Sequence, residues 1–506
     1  MERSLVRIHL RSFIVAALAT AACKGTEPLL PAPTTITISP AALQFGSVNT
    51  ARQLTAQVFD QHGDPFPSAQ LAWSTGNTAV ANVTAAGVVT SAGGGSTQIV
   101  ATSGHASSSI TVTVTQVPAS IVKSAGDGQT GLQTFAVNFP PAVIVRDSGG
   151  TPIPGVQVTF TVTGGGGSVT GATPLSGANG VATVGSWTVQ AGANTLGASV
   201  ATSGVTNNPL SFGATGVAGT YHIDVRPLTT LTPTQQAAFD SAAARWERVI
   251  YGDIPDLAVN IPSDTIKKYC TGPTSTPPTV NETIDDIVIF AAIQPIDGPG
   301  GILGSAGPCF IRVPGYQPLL GAMRFDSADV ATLETNGQLD EVILHEMGHV
   351  LGYGTIWSPS FLNLLVGPAA QGGTDPHFVG TQAVAGFNRI GGTGYTAGAK
   401  VPVEAGGGAG TRDSHWRESV FGPELMTGFL NGGVPNPLSV VTVASMGDEG
   451  YQVNYAAADP FSLSFAAATL RALGAVSTIQ LRDDVLKLPI HMLDRQGRLT
   501  RVVVPQ

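Results

Sequence analysis

Alternating apolar and polar positions dominate the first 217 residues. Between residues 33 and 117, runs such as TTITISP, QLTAQVF and SSITVTV alternate β-branched residues with polar ones, and turn residues separate the runs. Residues 118 to 217 repeat this texture in AVIVRDSGG and GVQVTFTVTGGGGSV. Period-two alternation with regularly spaced turns is typical of antiparallel sandwiches. The pattern therefore predicts two all-β sandwiches, at residues 33–117 and 118–217.

The periodicity changes after residue 217. In LTPTQQAAFDSAAARWERVIYG, apolar residues recur at helical spacing behind Thr232 as N-cap, Pro233 at the first helical position and Gln235 at the third. IDDIVIFAAI, GGILGSAGPCFIRV and GAMRFDSADV read as buried strands, and LDEVILHEMGHVLG as a second helix. We predict an α+β domain at residues 218–460, followed by a C-terminal β-hairpin tail at 461–506.

Composition and charge narrow the functional classes. Only 11% of the residues are charged, whereas Gly (63) and Pro (35) are plentiful, which suits short strands joined by turns. The formal net charge is −9, and there is no Lys/Arg cluster beyond the first residues. The sequence therefore lacks the basic patch expected of a protein that binds nucleic acid.

The first 23 residues are typical of an export signal. Three arginines precede the short apolar run FIVAALATAA, which is too brief to span a membrane. LATAAC resembles a bacterial lipobox, although Thr20 stands where Leu is usual, so both lipidation of Cys23 and ordinary cleavage stay open. A tether follows at residues 24–32. We expect an exported protein, either a surface-facing lipoprotein whose lipid anchor contacts the outer envelope membrane or a secreted one.

The cysteine count agrees with export. With Cys23 in the signal, Cys270 and Cys309 remain and can pair in an oxidising compartment. Two separate reduced thiols are the alternative.

The motif HEMGH at residues 345–349 carries the strongest chemical signal. His345 and His349 lie one helical turn apart, so both imidazoles can reach a single ion. Glu346 projects to the side of that face, where it can serve as general base toward a water at the ion. Imidazole ligands with an open position suit a catalytic Zn²⁺, one per domain. Asp326 and Asp329 leave a Ca²⁺ site open, but no motif supports one.

Two histidines require a third ligand, and several residues compete for that position. His377 and Asp375 follow the motif within a few tens of residues, and His222 and His491 lie far away in sequence. Gly352 completes the H-E-x-x-H-x-x-G pattern of the metzincins, in which glycine permits a sharp turn after the helix. The short metzincin spacing fails, because Thr355 stands where the third histidine would be.

The chain resembles the leishmanolysin family, in which a long insertion precedes the third histidine. GGGAGTRDSHWRESVFGPELMTG is similar to that family's Gly-rich approach, third histidine and Met-turn. The resemblance implies that His415 completes the zinc site and that Met426 packs beneath the metal. It also implies an edge strand, for which residues 302–306 are the candidate, that pairs with an extended peptide. A propeptide cysteine switch is not expected, because the only other upstream cysteine is in the signal.

The strand-rich region also carries family resemblances. WSTGNTAVANV followed by GVVT resembles the group 2 bacterial Ig-like domains, and DSGGTPIPGVQVTF resembles the group 1 domains of invasin-type proteins. The expected architecture is thus two Ig-like sandwiches followed by a metzincin-type zinc endopeptidase with protein or peptide substrates. The alternatives are an adhesin with a vestigial or structural metal site, and a metal-dependent hydrolase acting on other substrates. Oligomeric state stays open.

Overall fold

Two compact units make up the chain in a computed structural model. One unit comprises residues 1–117 together with 147–151, and the other comprises 118–146 and 152–506. The structure describes residues 30–408, 410–463 and 478–504, so the predicted export signal and Cys23 lie outside the described residues. Within those ranges, no helix has the length and apolar character that crossing a bilayer requires.

The first unit consists of short strands. They form a pair β1–β4, a four-stranded sheet in the order β2–β9–β8–β5 and a three-stranded sheet in the order β3–β7–β6. Alternation decides which side chains face inward: along the last strand Ile110, Val112 and Val114 are buried, whereas Thr111 is exposed. The strands are β1 (Thr35–Ser39), β2 (Ala42–Phe45), β3 (Ala51–Gln53), β4 (Thr55–Phe59), β5 (Ala72–Thr75), β6 (Ala81–Val83), β7 (Val88–Ser91), β8 (Gly95–Ser103) and β9 (Ala106–Val114).

The second unit begins with another strand-rich region. Its sheets have the orders β10–β12–β15, β11–β18–β17–β13 and β14–β16, and they enclose a core around Phe160, Trp187 and Phe212. The all-β character predicted for this part of the chain is confirmed, while the exact number of sandwiches stays a prediction. The strands are β10 (Ser120–Ala125), β11 (Gln129–Leu132), β12 (Ala142–Arg146), β13 (Thr159–Gly164), β14 (Ser168–Thr170), β15 (Val181–Thr183), β16 (Ser186–Thr188), β17 (Gly192–Ser199) and β18 (Leu210–Val217).

The remainder of the second unit mixes strands and helices, as predicted. Its strands are β19 (Ile223–Pro227), β20 (Leu257–Ile261), β21 (Val280–Ile284), β22 (Ile287–Gln294), β23 (Gly304–Arg312), β24 (Pro318–Asp326), β25 (Leu365–Val366), β26 (His377–Phe378), β27 (Val401–Pro402), β28 (Phe429–Asn431), β29 (Thr478–Gln480), β30 (Ile490–Leu493) and β31 (Leu499–Val503). Its helices are α1 (Pro233–Val249), α2 (Ser263–Ile266), α3 (Ser327–Asn336), α4 (Leu339–Val350), α5 (Thr381–Arg389), α6 (Thr393–Thr396), α7 (Glu418–Phe421) and α8 (Val440–Asp448). A π-helical turn spans Lys267–Thr271, and 3-10 turns span Ala369–Gln371 and Tyr455–Ala457.

A six-stranded sheet in the order β19–β22–β24–β23–β30–β31 organises this region. The first three strands run parallel, β23 is antiparallel to β24, and the C-terminal hairpin β30–β31 joins beyond β23. The predicted hairpin therefore forms and becomes part of the sheet. Residues 302–306, the predicted edge strand, run into the start of β23, and Ala306 is bridged by Val485 on the side away from β24, while pairing with a peptide stays a prediction.

Helices α1 and α4 pack against each other below this sheet. The capping box predicted for α1 is present: the Thr232 hydroxyl accepts from the Gln235 backbone N–H, and the Gln235 side chain accepts from the Thr232 N–H. On α1, Phe239 packs edge-on against Phe325 of β24, and the Trp246 indole donates to the Leu344 carbonyl of α4. These contacts hold α4, and with it the HEMGH motif, in the centre of the core.

Candidate metal site

Helix α4 positions the first two histidines. His345 and His349 both lie on its buried face, with their Nε2 atoms 3.0 Å apart. Asp340 and Glu341 occupy the first turn, where acidic groups stabilise the positive end of the helix dipole. The sequence thus builds a stable helix whose inner face carries two convergent imidazoles.

His415 joins this pair from the connection between β27 and α7. Its Nε2 lies 3.0 Å from that of His349 and 3.2 Å from that of His345. The three Nε2 atoms therefore form a nearly equilateral triangle.

Each imidazole is oriented by a backbone carbonyl. The Nδ1 of His345 lies 2.7 Å from the Leu425 oxygen, that of His349 lies 3.0 Å from the Tyr353 oxygen, and that of His415 lies 2.9 Å from the Thr411 oxygen. A carbonyl oxygen can only accept, so each Nδ1 carries the proton and donates it. All three Nε2 atoms are consequently left as lone-pair donors that point at one another.

Gly352 ends the helix and turns the chain. Its φ is +113°, and a Cβ at this position would lie 2.8 Å from Ile356 Cδ1 and 3.0 Å from Glu449 Oε2. Only glycine combines that backbone conformation with that space. The turn that follows brings the Tyr353 carbonyl back to His349, which explains how this glycine contributes to the site.

Met426 lies directly beneath helix α4, against Gly348. A Cβ on Gly348 would meet its Cε at 2.9 Å and its Sδ at 3.2 Å. Glu424 fixes the turn that presents it, because this buried carboxylate accepts from the backbone N–H groups of Met426 and Ser439 and from the Thr442 hydroxyl. Sequence reasoning named Met426 but missed Glu424 and Gly348, although both stand inside the quoted motifs.

Glu346 is fully buried beside the histidines. Within the described part of the chain, neither of its carboxylate oxygens has a hydrogen-bond partner. Burial raises its pKa well above the ordinary value, and the neighbouring charge of Asp484 raises the pKa further, while Arg324 opposes the shift. Gly304 of β23 makes room for this side chain, because a Cβ there would lie 2.9 Å from Glu346 Oε1.

A fourth side chain that the sequence did not predict completes the cluster. Asp484 Oδ2 lies 3.0 Å from His415 Nε2 and 3.3 Å from His345 Nε2. Asp484 stands between β29 and β30 in LRDDVLKLP, which matches no ligand motif. Only the long-range pairing of this segment with β23 brings it to the histidines, so sequence reasoning had no signal for it.

The donor set fits a zinc ion. Four ligands about 2.0 to 2.1 Å from a tetrahedral ion lie roughly 3.3 Å from one another, and five of the six distances among the three Nε2 atoms and Asp484 Oδ2 are 3.0 to 3.3 Å. Imidazole nitrogens with one carboxylate oxygen are ordinary zinc ligands. Among the described residues, the three histidines and Asp484 form a fully buried group of side chains that can hold a metal ion.

Two family models match parts of this chain. Residues 265–469 match the leishmanolysin family model. Residues 138–213 match the model of the bacterial Ig-like domain, group 1. The leishmanolysin-type match includes the HEMGH motif, Gly352, His415 and Met426, and it ends before Asp484.

Several solved structures are similar to parts of this chain. Invasin, a bacterial integrin-binding protein, is 17% identical with a TM-score of 0.26, over 37% of this chain and 40% of that one. The adhesin InvE of Yersinia pseudotuberculosis is 18% identical with a TM-score of 0.22, over 37% and 60%. Domains 1–6 of surface layer protein SbsC are 20% identical with a TM-score of 0.19, over 34% of this chain and only 24% of that one. These TM-scores are too low to support an assignment. Comparison with curated proteins gave no match.

The other candidates for the third ligand lie elsewhere in the leishmanolysin-like region or outside it. His377 donates to the Asp375 carbonyl, and the Asp375 carboxylate pairs with Lys400 and Arg417. His222 contacts Glu247, and the His491 ring packs between Tyr269 and Phe310. None of these residues belongs to the buried metal-type group of the described ranges.

Two further predictions concern acidic and sulfur-bearing residues. Asp326 caps α3 by accepting from Ala328 and also accepts from Asp297 and Gly298, while Asp329 accepts from Gly300. Backbone N–H groups therefore bond to both carboxylate oxygens of Asp326 and to Oδ1 of Asp329. The structure joins Cys270, in the π-helical turn, to Cys309 of β23 as a disulfide.

Electrostatics keep the helix histidines neutral. Burial lowers the pKa of His345 and His349, and the other imidazoles lower that of His349 further. Burial would also lower the pKa of His415, but the Asp484 carboxylate raises it above the ordinary value. Neutral rings on α4 are the form in which imidazole binds a metal.

Proposed function

We propose that this chain is an exported zinc endopeptidase that cleaves extracellular proteins or peptides. The triangle of His345, His349 and His415 nitrogens, with the unpartnered carboxylate of Glu346 beside it, is the observation that carries the proposal. The leishmanolysin-type match over residues 265–469 supports a metallopeptidase. A purely structural zinc site has no need for an adjacent buried base.

In this proposal, the three histidines hold the ion through Nε2 and their carbonyl partners fix the rings. When bound, zinc would lower the pKa of a water at its remaining position and polarise the scissile carbonyl. Glu346 takes the proton of the attacking water and passes it to the leaving amine. Burial raises the pKa of Glu346, which favours its uptake of the proton that it then passes on.

Met426 and Glu424 act as positioning residues in this proposal. Met426 packs against Gly348, which lies between His345 and His349 on α4. Glu424 holds Met426 in place by accepting from its backbone N–H. The same turn supplies the Leu425 carbonyl that orients His345. Neither side chain needs to contact substrate.

The strand-rich region before the peptidase is proposed to act as a spacer. The group 1 Ig-like match at residues 138–213 lies in the same compact unit as the peptidase-type region. With lipidation of Cys23, the peptidase would be held away from the outer face of the cell envelope, and without lipidation it would be secreted.

The first experiment pairs zinc content with peptide cleavage in the full chain, with and without a chelator. The parent and Glu346→Gln should both bind about one equivalent of zinc, while Glu346→Gln loses about 10² to 10⁴-fold in turnover. Glu334→Gln, the same change on α3, is the matched control and should behave as the parent. Equal turnover in Glu346→Gln would refute the assigned role of this residue.

The ligand set is tested separately. His415→Ala should lose zinc, whereas His377→Ala, a histidine that follows the same motif but lies outside the cluster, should keep it. Zinc binding with no cleavage of any peptide, in these chains and in Asp484→Asn alike, would instead favour a binding protein with a structural metal site, and the Ig-like region would become the part to examine.

A further inference from the structure

The proposed active site is closed to solvent. His349, His415, Glu346 and Asp484 are 0% exposed, and His345 is 1% exposed. A peptidase must admit an extended peptide and a water to its metal and its base. Some part of this chain therefore occupies the space that substrate would need.

The covering part is the segment of residues 481–486, which lies between two walls of the site. On one wall, the Leu481 N–H donates to the Gly428 carbonyl, and the Thr411 hydroxyl donates to the Leu481 carbonyl. Gly428 follows Met426 by two residues, and Thr411 is the residue whose carbonyl orients His415. This end of the segment is thus fixed to the wall that carries the third histidine.

On the other wall, the segment pairs with β23. The Ala306 N–H donates to the Asp484 carbonyl at 2.6 Å, and the Leu486 N–H donates to the Ala306 carbonyl at 2.8 Å. Ala306 is thus bonded to residues 484 and 486, which is the hydrogen-bonding pattern of a parallel β-ladder. An extended peptide added to a sheet uses the same backbone groups. The chain's own segment consequently uses the two polar groups of Ala306 that a bound peptide would require.

This pairing places the Asp484 side chain at the fourth ligand position. Its Oδ2 lies 3.0 Å from His415 Nε2 and 3.3 Å from His345 Nε2, and both distances are those expected between two ligands of one zinc ion. Its neighbour Asp483 is exposed, so the carboxylate at the cluster is not part of a general acidic surface. The segment 481–486 therefore acts in two ways: its backbone blocks the path of a peptide, and its Asp484 side chain fills a ligand position of the metal.

We propose that Asp484 is a removable fourth ligand and that residues 481–486 keep the peptidase latent until they move away. This inference rests on the proposed function, because latency has meaning only for an enzyme. Opening requires the loss of the backbone bonds of residues 481, 484 and 486, while the β30–β31 hairpin can stay in the sheet. Any event that pulls this segment off Ala306 exposes the metal, Glu346 and the peptide path together.

The test compares the zinc-loaded full chain with Asp484→Asn and with Asp483→Asn, the same change on the exposed neighbour. We expect all three to hold one zinc. Asp484→Asn should cleave a peptide substrate at least about tenfold faster than the parent. It should also bind acetohydroxamate, a small metal ligand, at least about tenfold more tightly. The reason is that a ligand competing for a position that Asp484 fills about nine-tenths of the time loses about tenfold in apparent affinity. Asp483→Asn should match the parent in both measurements.

Several results would overturn the inference. Asp484→Asn indistinguishable from Asp483→Asn in hydroxamate affinity would show that Asp484 does not occupy the metal. Loss of zinc from Asp484→Asn would show that the residue is a permanent ligand required for metal binding. Tighter hydroxamate binding without cleavage in any chain would uphold the cap and refute the peptidase function, so the two proposals fail separately.

A measurement on the unaltered chain covers the case in which Asp484→Asn does not fold. Cobalt replaces zinc in the parent protein, and visible absorption follows a titration with acetohydroxamate. A capped metal should resist the probe at concentrations that saturate a metal with an open position. Immediate saturation in the parent would mean that the fourth position is open, and the inference would be wrong.

Discussion

Gly348 lies against the thioether of Met426, and a single added carbon would close the gap between them. The distance from an ideal Cβ on Gly348 to Met426 Cε is 2.9 Å, and the distance to Trp246 Cζ2 is 3.0 Å. The glycine between the two motif histidines therefore sets how closely α4 approaches the Met-turn and α1.

Gly348→Ala should lower the free energy of unfolding by about 1 to 3 kcal/mol, because the helix must shift or the methionine must leave its rotamer. The shift should also weaken zinc binding, since His345 and His349 move with the helix. Urea denaturation and zinc titration measure the two effects. Gly213→Ala is the control, because nothing lies within 4 Å of its added Cβ; equal stability of both variants would contradict the packing argument.

Glu424→Gln should destabilise the Met-turn by about 1 to 3 kcal/mol. The carboxylate accepts from two backbone N–H groups and a hydroxyl, and an amide would turn one of its oxygens into a donor that faces another donor. The urea midpoint should fall relative to the parent and to Glu334→Gln. An unchanged midpoint would mean that the turn does not depend on this carboxylate.

Gly304→Ala should reduce turnover without removing zinc. The new methyl group would lie within 2.9 Å of Glu346 Oε1 and would push the base away from the reacting water. The comparison is best made in the Asp484→Asn background, where latency does not mask turnover. Loss of zinc together with turnover would indicate a wider distortion of β23 than this contact implies.

Glu449 should make stability fall as pH rises. Burial raises its pKa to about 8, although the Trp357 indole donates to it and opposes the shift. Between its ordinary value of 4.5 and about 8, the folded chain holds a proton that the unfolded chain releases, so each rising pH unit costs up to about 1.4 kcal/mol. Glu449→Gln should remove that slope between pH 5 and 8 in urea unfolding. Parallel slopes in parent and variant would contradict the assignment.

Asn138 should couple the Ig-like region to the peptidase-type region within their shared unit. Its side chain accepts from the Tyr455 N–H and donates to the Val453 carbonyl, both at 2.8 Å. Asn138→Ala should therefore lower the unfolding temperature or split one calorimetric transition into two, whereas Asn260→Ala at an exposed strand position should not. A single unchanged transition in both variants would show that the regions do not depend on this contact.

Local chemistry explains which parts of this molecule were readable from the sequence. The capping box of Thr232 and Gln235, the helix carrying HEMGH and the turn at Gly352 are each decided within one short segment, and each forms as predicted. The buried strand β23 lies within its predicted apolar run, and β22 and β24 overlap theirs, for the same reason.

Residues that depend on long-range pairing were not readable. His415 is 66 residues from His349, and the family resemblance suggested it where spacing alone left four rivals. Asp484 is 139 residues from His345, and its place follows from two backbone bonds to Ala306 that no local pattern encodes. The same pairing covers the predicted edge strand at Ala306 with a segment of the chain itself.

The cluster and the disulfide together give the peptidase-type region two cross-links that respond to different reagents. The disulfide closes a loop of 39 residues, and an ion held by both His345 and Asp484 would close one of 139. A reductant opens only the first and a chelator only the second. Resistance to unfolding in this region is therefore set separately by the redox state and by the metal supply of its surroundings.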